Sequence, residues 1–253
     1  HHDHERFERG RDSTTAHAQV RTIEGTDQLL EIVGVEKRAR FKIGGPDRLI
    51  GYKKELEDLK KTTAAVSRTK LIVLKGRAGR GKSRLLEELA SEQPNMVKIS
   101  IDPVMEKIQG GALAYFAERL NSEIEARLSH DLQMRHGRVL GPLKTFAAKP
   151  EASRIHTAQT SPREITSICF HALQLMETCQ GSFTLVVDDT HHIDRHSDQH
   201  LMNLVRDFLR ESRSKAVLSL RPEERYKSAA QRTLEMEIRS FGGKTYHAKI
   251  EKN

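Results

Sequence analysis

The sequence contains no run of about 18 apolar residues, so it offers no helix able to span a membrane. Its first residues, His1-His2-Asp3-His4-Glu5-Arg6, lack the apolar stretch of a secretory signal, and the chain does not begin with Met. A piece of a longer protein, or a processed or tagged chain, is expected. Cysteine is scarce: Cys169 and Cys179 are the two present, ten residues apart, and they form no CxxC pair. That spacing sets them on poorly matched faces of a helix, which speaks for a reduced, intracellular, cytoplasmic protein. There is no internal repeat and no NKxD-type segment for reading guanine.

What is present fits one large domain, or one domain with an appendage, in 253 residues. At 36% hydrophobic and 31% charged, the chain can bury a core beneath a heavily ionised surface. The formal charge of +8 raises nucleic acid or an anionic membrane as partners. The basic residues are spread out and alternate with acids, however, which favours an ordinary solvated surface.

Residues 1–20 are polar and without periodicity, and read as a disordered tail. Residues 21–45 form a short β-rich lead-in, with Leu29-Leu30-Glu31-Ile32-Val33 and Arg40-Phe41-Lys42-Ile43, closed by Gly44-Gly45-Pro46. From residue 46 to 253 one domain is expected. It opens with an amphipathic helix over 52–66 and then alternates strands with helices. The strands are Leu71–Leu74, Met96–Ile101, Phe183–Val187 and Ala216–Leu220, with Thr245–Ile250 the weakest. Helices are expected over 82–92, 197–212 and 223–239. A long helical insertion covers 104–180, broken near Gly141-Pro142 and around 147–162. Continuous apolar strands alternating with helices indicate an α/β fold, a parallel sheet covered on both faces. Ligands then gather at the carboxyl ends of the strands.

The first such strand runs into Gly76-Arg77-Ala78-Gly79-Arg80-Gly81-Lys82-Ser83, which matches GxxxxGK(S/T) at every fixed position. Strand before and helix after (Leu85, Leu86, Leu89) are the context that a phosphate-binding loop requires. Its glycines allow a tight turn that aims consecutive N–H groups at phosphates. The helix starting near Lys82, and running on through Arg84, adds a partial positive charge. Lys82 is expected to reach the β- and γ-phosphates, and Ser83 to ligate magnesium.

Leu185-Val186-Val187-Asp188-Asp189 is an apolar strand ending in two carboxylates. In P-loop proteins a second strand places an acid beside the magnesium ion, holding it through a coordinated water. Asp188 fits that task, and Asp189 is positioned to orient or deprotonate the attacking water. The same pair also suits a plain turn or helix cap. Aspartate is one methylene shorter than the more usual glutamate, so hydrolysis is expected to be slow.

Here a family resemblance enters. Val186-Val187-Asp188-Asp189-Thr190-His191-His192-Ile193-Asp194 is similar to the hhDDxHWxD signature of the STAND branch of AAA ATPases. Leu49-Ile50-Gly51-Tyr52-Lys53-Lys54-Glu55-Leu56 resembles their opening hVGRexEL motif, and Ser219-Leu220-Arg221-Pro222-Glu223-Glu224 their TxRPEE segment. His192 stands where the family has Trp, and Tyr52 where it has Arg. The resemblance covers about residues 48–250 and looks closest to the module behind the catalytic domains of soluble adenylyl cyclases. It implies a three-layer P-loop NTPase sandwich with a five-stranded parallel sheet in the order 5-1-4-3-2. The helical insertion is expected between strands 2 and 3, and a helical lid is not expected within these residues. ATP and Mg2+ are the implied cofactors. Ser219 takes a sensor position near the γ-phosphate, and Arg221 acts on phosphates or at a subunit contact; either also suits a surface turn.

The function so implied is an ATP-switched regulatory module with slow or partner-dependent hydrolysis. It would act on a linked effector domain, a protein partner or further copies of itself. Two other classes share the loop: a DNA-binding ATPase of the origin-recognition type, which suits the charge, and a small-molecule kinase. His192, His196 and His200, spaced by four, suit either a zinc pair or a polar helix start. The basic segment 130–162 (His130, Arg135, His136, Arg138, Lys144, Lys149, Arg154) suits a partner contact or a mobile, solvated loop.

Overall fold

In the computed structural model, the residues described are 18–22, 30–35, 53–64, 69–77, 79–148, 161–221 and 244–247. They fall in two units, His1–Arg48 and Leu49–Asn253. In the first, β1 (Ala18–Thr22) pairs antiparallel with β2 (Leu30–Val35). The register runs from Ala18 opposite Val35 to Thr22 opposite Leu30 and shifts between Gln19 and Val20, the mark of a bulge. The tail expected over 1–20 thus gives way at Ala18 to a strand. Its polar composition hid this, because the pairing partner lies eight or more residues downstream. The expected fragment 40–43 lies outside the described residues.

The second unit begins with α1 (Lys53–Thr63), whose Leu56 and Leu59 are buried on one stripe. It continues with β3 (Leu71–Lys75), α2 (Lys82–Glu92) and β4 (Met96–Ser100). A 3-10 turn (Pro103–Lys107) leads into α3 (Gly111–Arg127), α4 (His130–Arg135), α5 (Gly137–Ala147) and α6 (Pro162–Gln180). Then come β5 (Thr184–Asp188), a second 3-10 turn (Thr190–His192), α7 (Arg195–Glu211), β6 (Lys215–Leu220) and β7 (Lys244–His247). The body of the sheet is four parallel strands in the order β4-β5-β6-β3, and the backbone of β7 pairs parallel to β3 on its other side.

Alternation along each strand splits the core into two layers. Leu71, Val73, Val97, Ile99, Leu185, Val187, Ala216 and Leu218 face one side, with Phe116, Leu143, Leu173 and Phe208 of α3, α5, α6 and α7. Ile72, Leu74, Met96, Val186 and Val217 face the other, with Leu59 of α1 and Leu85, Leu86 and Leu89 of α2. Each fully buried Leu, Val or Phe contributes roughly 1.5–3 kcal/mol. Packing of this kind, more than helix propensity, holds helices of 11 to 19 residues.

Two expectations for the insertion are corrected. Gly141-Pro142 does not break the chain: α5 runs through it from Gly137 to Ala147. A proline forfeits the bond to the carbonyl four residues before it, here that of Arg138, so Pro142 costs α5 one helix bond. Burial of Leu140, Leu143 and Phe146 holds the rest of the helix. The break falls instead at Ser129, whose side chain accepts a hydrogen bond from Leu132 N–H and starts α4. Accordingly, the described part of the basic segment is two packed helices and not a loose loop. Lys144 Nζ donates to Gln133 Oε1 at 2.9 Å, and Gln133 Nε2 to Leu128 O at 2.7 Å. Lys149 and Arg154 lie outside the described residues.

Candidate functional site

Because β5, β6 and β3 are neighbours, the segments leaving their carboxyl ends meet along one edge of the sheet. The loop after β3 is tied there at once, Gly76 N–H donating to Leu220 O at 3.3 Å. Gly79 and Gly81 have φ of +70° and +69°, values open to glycine and costly for other residues. Gly81 precedes α2 without a side-chain cap, and the first turn of α2 holds no acid. The N–H groups and partial positive charge of that helix end therefore face the loop, the condition for holding an anion. Lys82 is buried, and its ammonium donates to Gly76 O at 2.7 Å and Arg77 O at 3.1 Å. Ser83 and Arg80 are half-buried, while Arg77, Gly79 and Arg84 are exposed. Ala78 lies outside the described residues.

At the end of β5, Asp188 is 1% exposed and has partners on both oxygens. Oδ1 accepts from the Ser219 hydroxyl of β6 and, at 2.9 Å, from Asp189 N–H. Oδ2 lies 3.6 Å from the Lys98 ammonium of β4. Asp189 N–H also reaches Ser219 Oγ at 2.9 Å, and Thr190 Oγ1 donates to Ser219 O at 2.6 Å. These bonds fix the chain as it leaves the strand and hold Asp189 in the left-handed region, φ 55° and ψ 42°. Asp189 is the described non-glycine residue with positive φ.

Charge confirms how close these groups are. Burial, and then the neighbouring Asp188 carboxylate, raise the Asp189 pKa above its ordinary value, while His192, Arg221 and Lys82 pull it back. His191, its side chain 3% exposed, is pushed down to about 3 by burial, with His192, Arg221 and Lys82 acting in the same direction. Its Nδ1 is 3.8 Å from Asp189 Oδ1, and its ring lies 3.9 Å from that of His192, which meets Glu106 Oε2 at 3.2 Å. One pocket of charge therefore joins Lys82 of the loop, Asp188 and Asp189 of β5, and Arg221 beyond β6. A buried lysine, a partly desolvated acid and a strained backbone thus lie together, a combination that concentrates at functional sites.

Sequence reasoning missed Lys98 and the buried setting of His191. A single lysine inside the apolar run Met96-Val97-Lys98-Ile99 was the available signal for the first. Of the histidine series, His192 belongs to the site through its contact with His191 and its pull on Asp189, while His196 and His200 find other neighbours. His196 Nδ1 is 3.5 Å from Gln109 Nε2, and His200 is lowered by burial and by Arg163. Among the described residues no three His, Cys, Asp or Glu side chains are grouped to hold a metal ion. Cys169 is a buried free thiol pushed up to about 12, and Cys179 is free as well. Among the described residues no helix is long and apolar enough to cross a membrane.

No curated protein matches the chain closely enough to add to this picture. The family model of the AAA ATPase domain, however, matches residues 48–219, a span that takes in α1, the Gly76–Ser83 loop, Asp188, Asp189 and Ser219. With a parallel α/β sheet and a phosphate loop at its strand ends, the chain belongs to the family of AAA ATPase domains, ATP-binding P-loop NTPases.

Proposed function

We propose that this domain is a regulatory ATPase of the STAND kind, in which Mg–ATP binding and slow hydrolysis drive a signalling output or self-assembly. What carries the reading is the joint placement of Lys82, Asp188, Asp189 and Ser219 around one strand edge. The backbone pairing of β7 beside β3 supports taking the sheet as the five-stranded order 5-1-4-3-2. Gly76, Arg77, Ala78, Gly79, Arg80, Gly81, Lys82, Ser83 and Arg84 form the phosphate cradle. Ser83 and Asp188 offer hard oxygen donors of the type magnesium prefers, Asp188 through a water. The ion, when bound, neutralises charge on the transferring phosphoryl group.

The chain's own residues supply the rest. Asp189, its carboxyl raised above its ordinary value by burial and by Asp188, orients the attacking water and accepts its proton. Ser219 holds Asp188 and the Asp189 N–H in register, and Arg221 places positive charge beside them. Free Cys169 and Cys179 support a reducing, intracellular setting, and a linked effector, a protein partner or a second copy would receive the signal. Preference for ATP over GTP rests on the family.

Equilibrium titration with ATP and GTP in magnesium, followed by ADP release, tests this. Lys82→Ala should weaken ATP binding about ten- to a hundredfold, from the loss of a charge-assisted contact of roughly 1.5–3 kcal/mol. Asp189→Asn should bind ATP like the parent and turn over about a hundredfold more slowly. Undiminished binding by Lys82→Ala would remove the loop from the assignment.

A further inference from the structure

Lys98 has no place in the motifs, yet it holds one end of the key carboxylate. It is the charged residue of β4, in register with Val186 of β5, and the strand alternation puts it on the α2 side of the sheet with Met96. Its ammonium lies 3.6 Å from Asp188 Oδ2 and also 3.6 Å from Glu87 Oε1 of α2. The lysine side chain is 19% exposed, Asp188 1% and Glu87 57%, so the cation bridges a buried acid and a solvated one.

We propose that Lys98 is a positioning residue that competes with magnesium for Asp188 and so sets the Mg2+ concentration at which the domain takes up nucleotide. The inference rests on the reading of Asp188 and the Gly76–Ser83 loop as a Mg–ATP site. Asp188 Oδ1 is already engaged by the Ser219 hydroxyl and the Asp189 N–H, both neutral donors that leave the carboxylate its charge. Oδ2 is the oxygen that faces a cation. A hydrated dication approaching that carboxylate meets a like charge in a place where water screens poorly. Glu87, at an equal distance and well solvated, gives the ammonium a second carboxylate to move towards when Asp188 is claimed. The outcome is a raised threshold for magnesium and not its exclusion.

The test titrates Mg2+ into the full chain at a fixed concentration of N-methylanthraniloyl-ATP and follows fluorescence, with a parallel titration of the analogue in EDTA. Lys98→Met should lower the half-saturating Mg2+ about tenfold, the effect of roughly one lost unit-charge contact. Lys98→Arg keeps the charge and should stay within about twofold of the parent. Glu87→Gln strands the ammonium on Asp188 and should raise the midpoint about threefold. Binding in EDTA should be the same for all four proteins, which a general loss of structure would not allow. If Lys98→Met does not fold, the Lys98→Arg and Glu87→Gln midpoints carry the comparison. A Lys98→Met midpoint equal to or above the parent's, with the parent binding normally, overturns the role of Lys98 alone. A parent that takes up no analogue at any Mg2+ concentration overturns the nucleotide site and this inference with it.

Discussion

The Asp194 carboxylate, at the start of α7, accepts the Ala112 N–H at the start of α3 at 3.0 Å, across 82 residues of chain. The Ser197 hydroxyl donates to that same oxygen, and the other oxygen takes Gly110 N–H at 2.9 Å together with His196 and Ser197 N–H of its own helix. Leu113 N–H completes the junction by donating to Ser197 Oγ at 2.9 Å. One buried acid thus caps two helices, and it joins the segment carrying Asp188 and Asp189 to the start of the helical insertion.

Asp194→Ala should therefore cost more than an ordinary lost cap. It strands several N–H groups in a position 5% exposed, and each orphaned donor costs about 1–3 kcal/mol unless water reaches it. A loss of about 3–5 kcal/mol is expected, with Asp194→Asn intermediate because its amide keeps one acceptor oxygen and adds donors. Urea unfolding measures it, as a lower midpoint with unchanged slope. A loss below about 1 kcal/mol would mean that the two helix starts do not depend on this residue.

The left-handed backbone of Asp189 leads to a different kind of variant. For a residue with a Cβ, φ of 55° costs roughly 1–2 kcal/mol, and glycine removes that strain while adding about 0.5–1 kcal/mol of unfolded-state entropy. The N–H bonds to Asp188 and Ser219 need no side chain and survive the change. Asp189→Gly should then gain up to about 1 kcal/mol of stability while losing turnover, a trade expected where strain serves function. Thermal unfolding and ADP release on the same samples show whether the two move apart. A destabilised Asp189→Gly would mean that the turn is held by the carboxylate and not by the backbone.

How far these features were legible in the sequence depended on their range. The loop Gly76–Ser83 and the strand end Asp188-Asp189 are local words in the chain, and apolar runs such as Leu71–Leu74 mark buried parallel strands directly. Lys98 and Glu87 are ordinary charges until strand register and helix packing bring them to Asp188, and no spacing in the sequence announces that. Pro142 misled for the opposite reason. Its local rule is sound, but the lost bond is outweighed by the burial of Leu140, Leu143 and Phe146, which holds α5 together through the proline. Residues 18–20 escaped notice because a polar strand is stabilised by its partner and not by its own composition.

His191 makes the stability of the domain depend on pH in a stated direction. Its ordinary pKa of 6.5 falls to about 3 in the fold, through burial and the nearby His192, Arg221 and Lys82. Between those values the unfolded chain carries a proton on this residue and the native protein does not. Stability therefore falls as pH drops below about 6.5, by at most about 1.4 kcal/mol for each pH unit. Asp189 acts with the opposite sign: its raised native pKa adds stability at low pH that is lost as pH rises through it, so it offsets part of the fall in the carboxylate range. Across pH 7 to 5.5 His200, lowered by burial, acts in the same direction, so the comparison of parent with variant singles out His191. Urea unfolding across that interval should show a drop for the parent and a flatter profile for His191→Asn, which cannot take up the proton. Parallel profiles for the two proteins would show that His191 is charged, or solvated, in the native state.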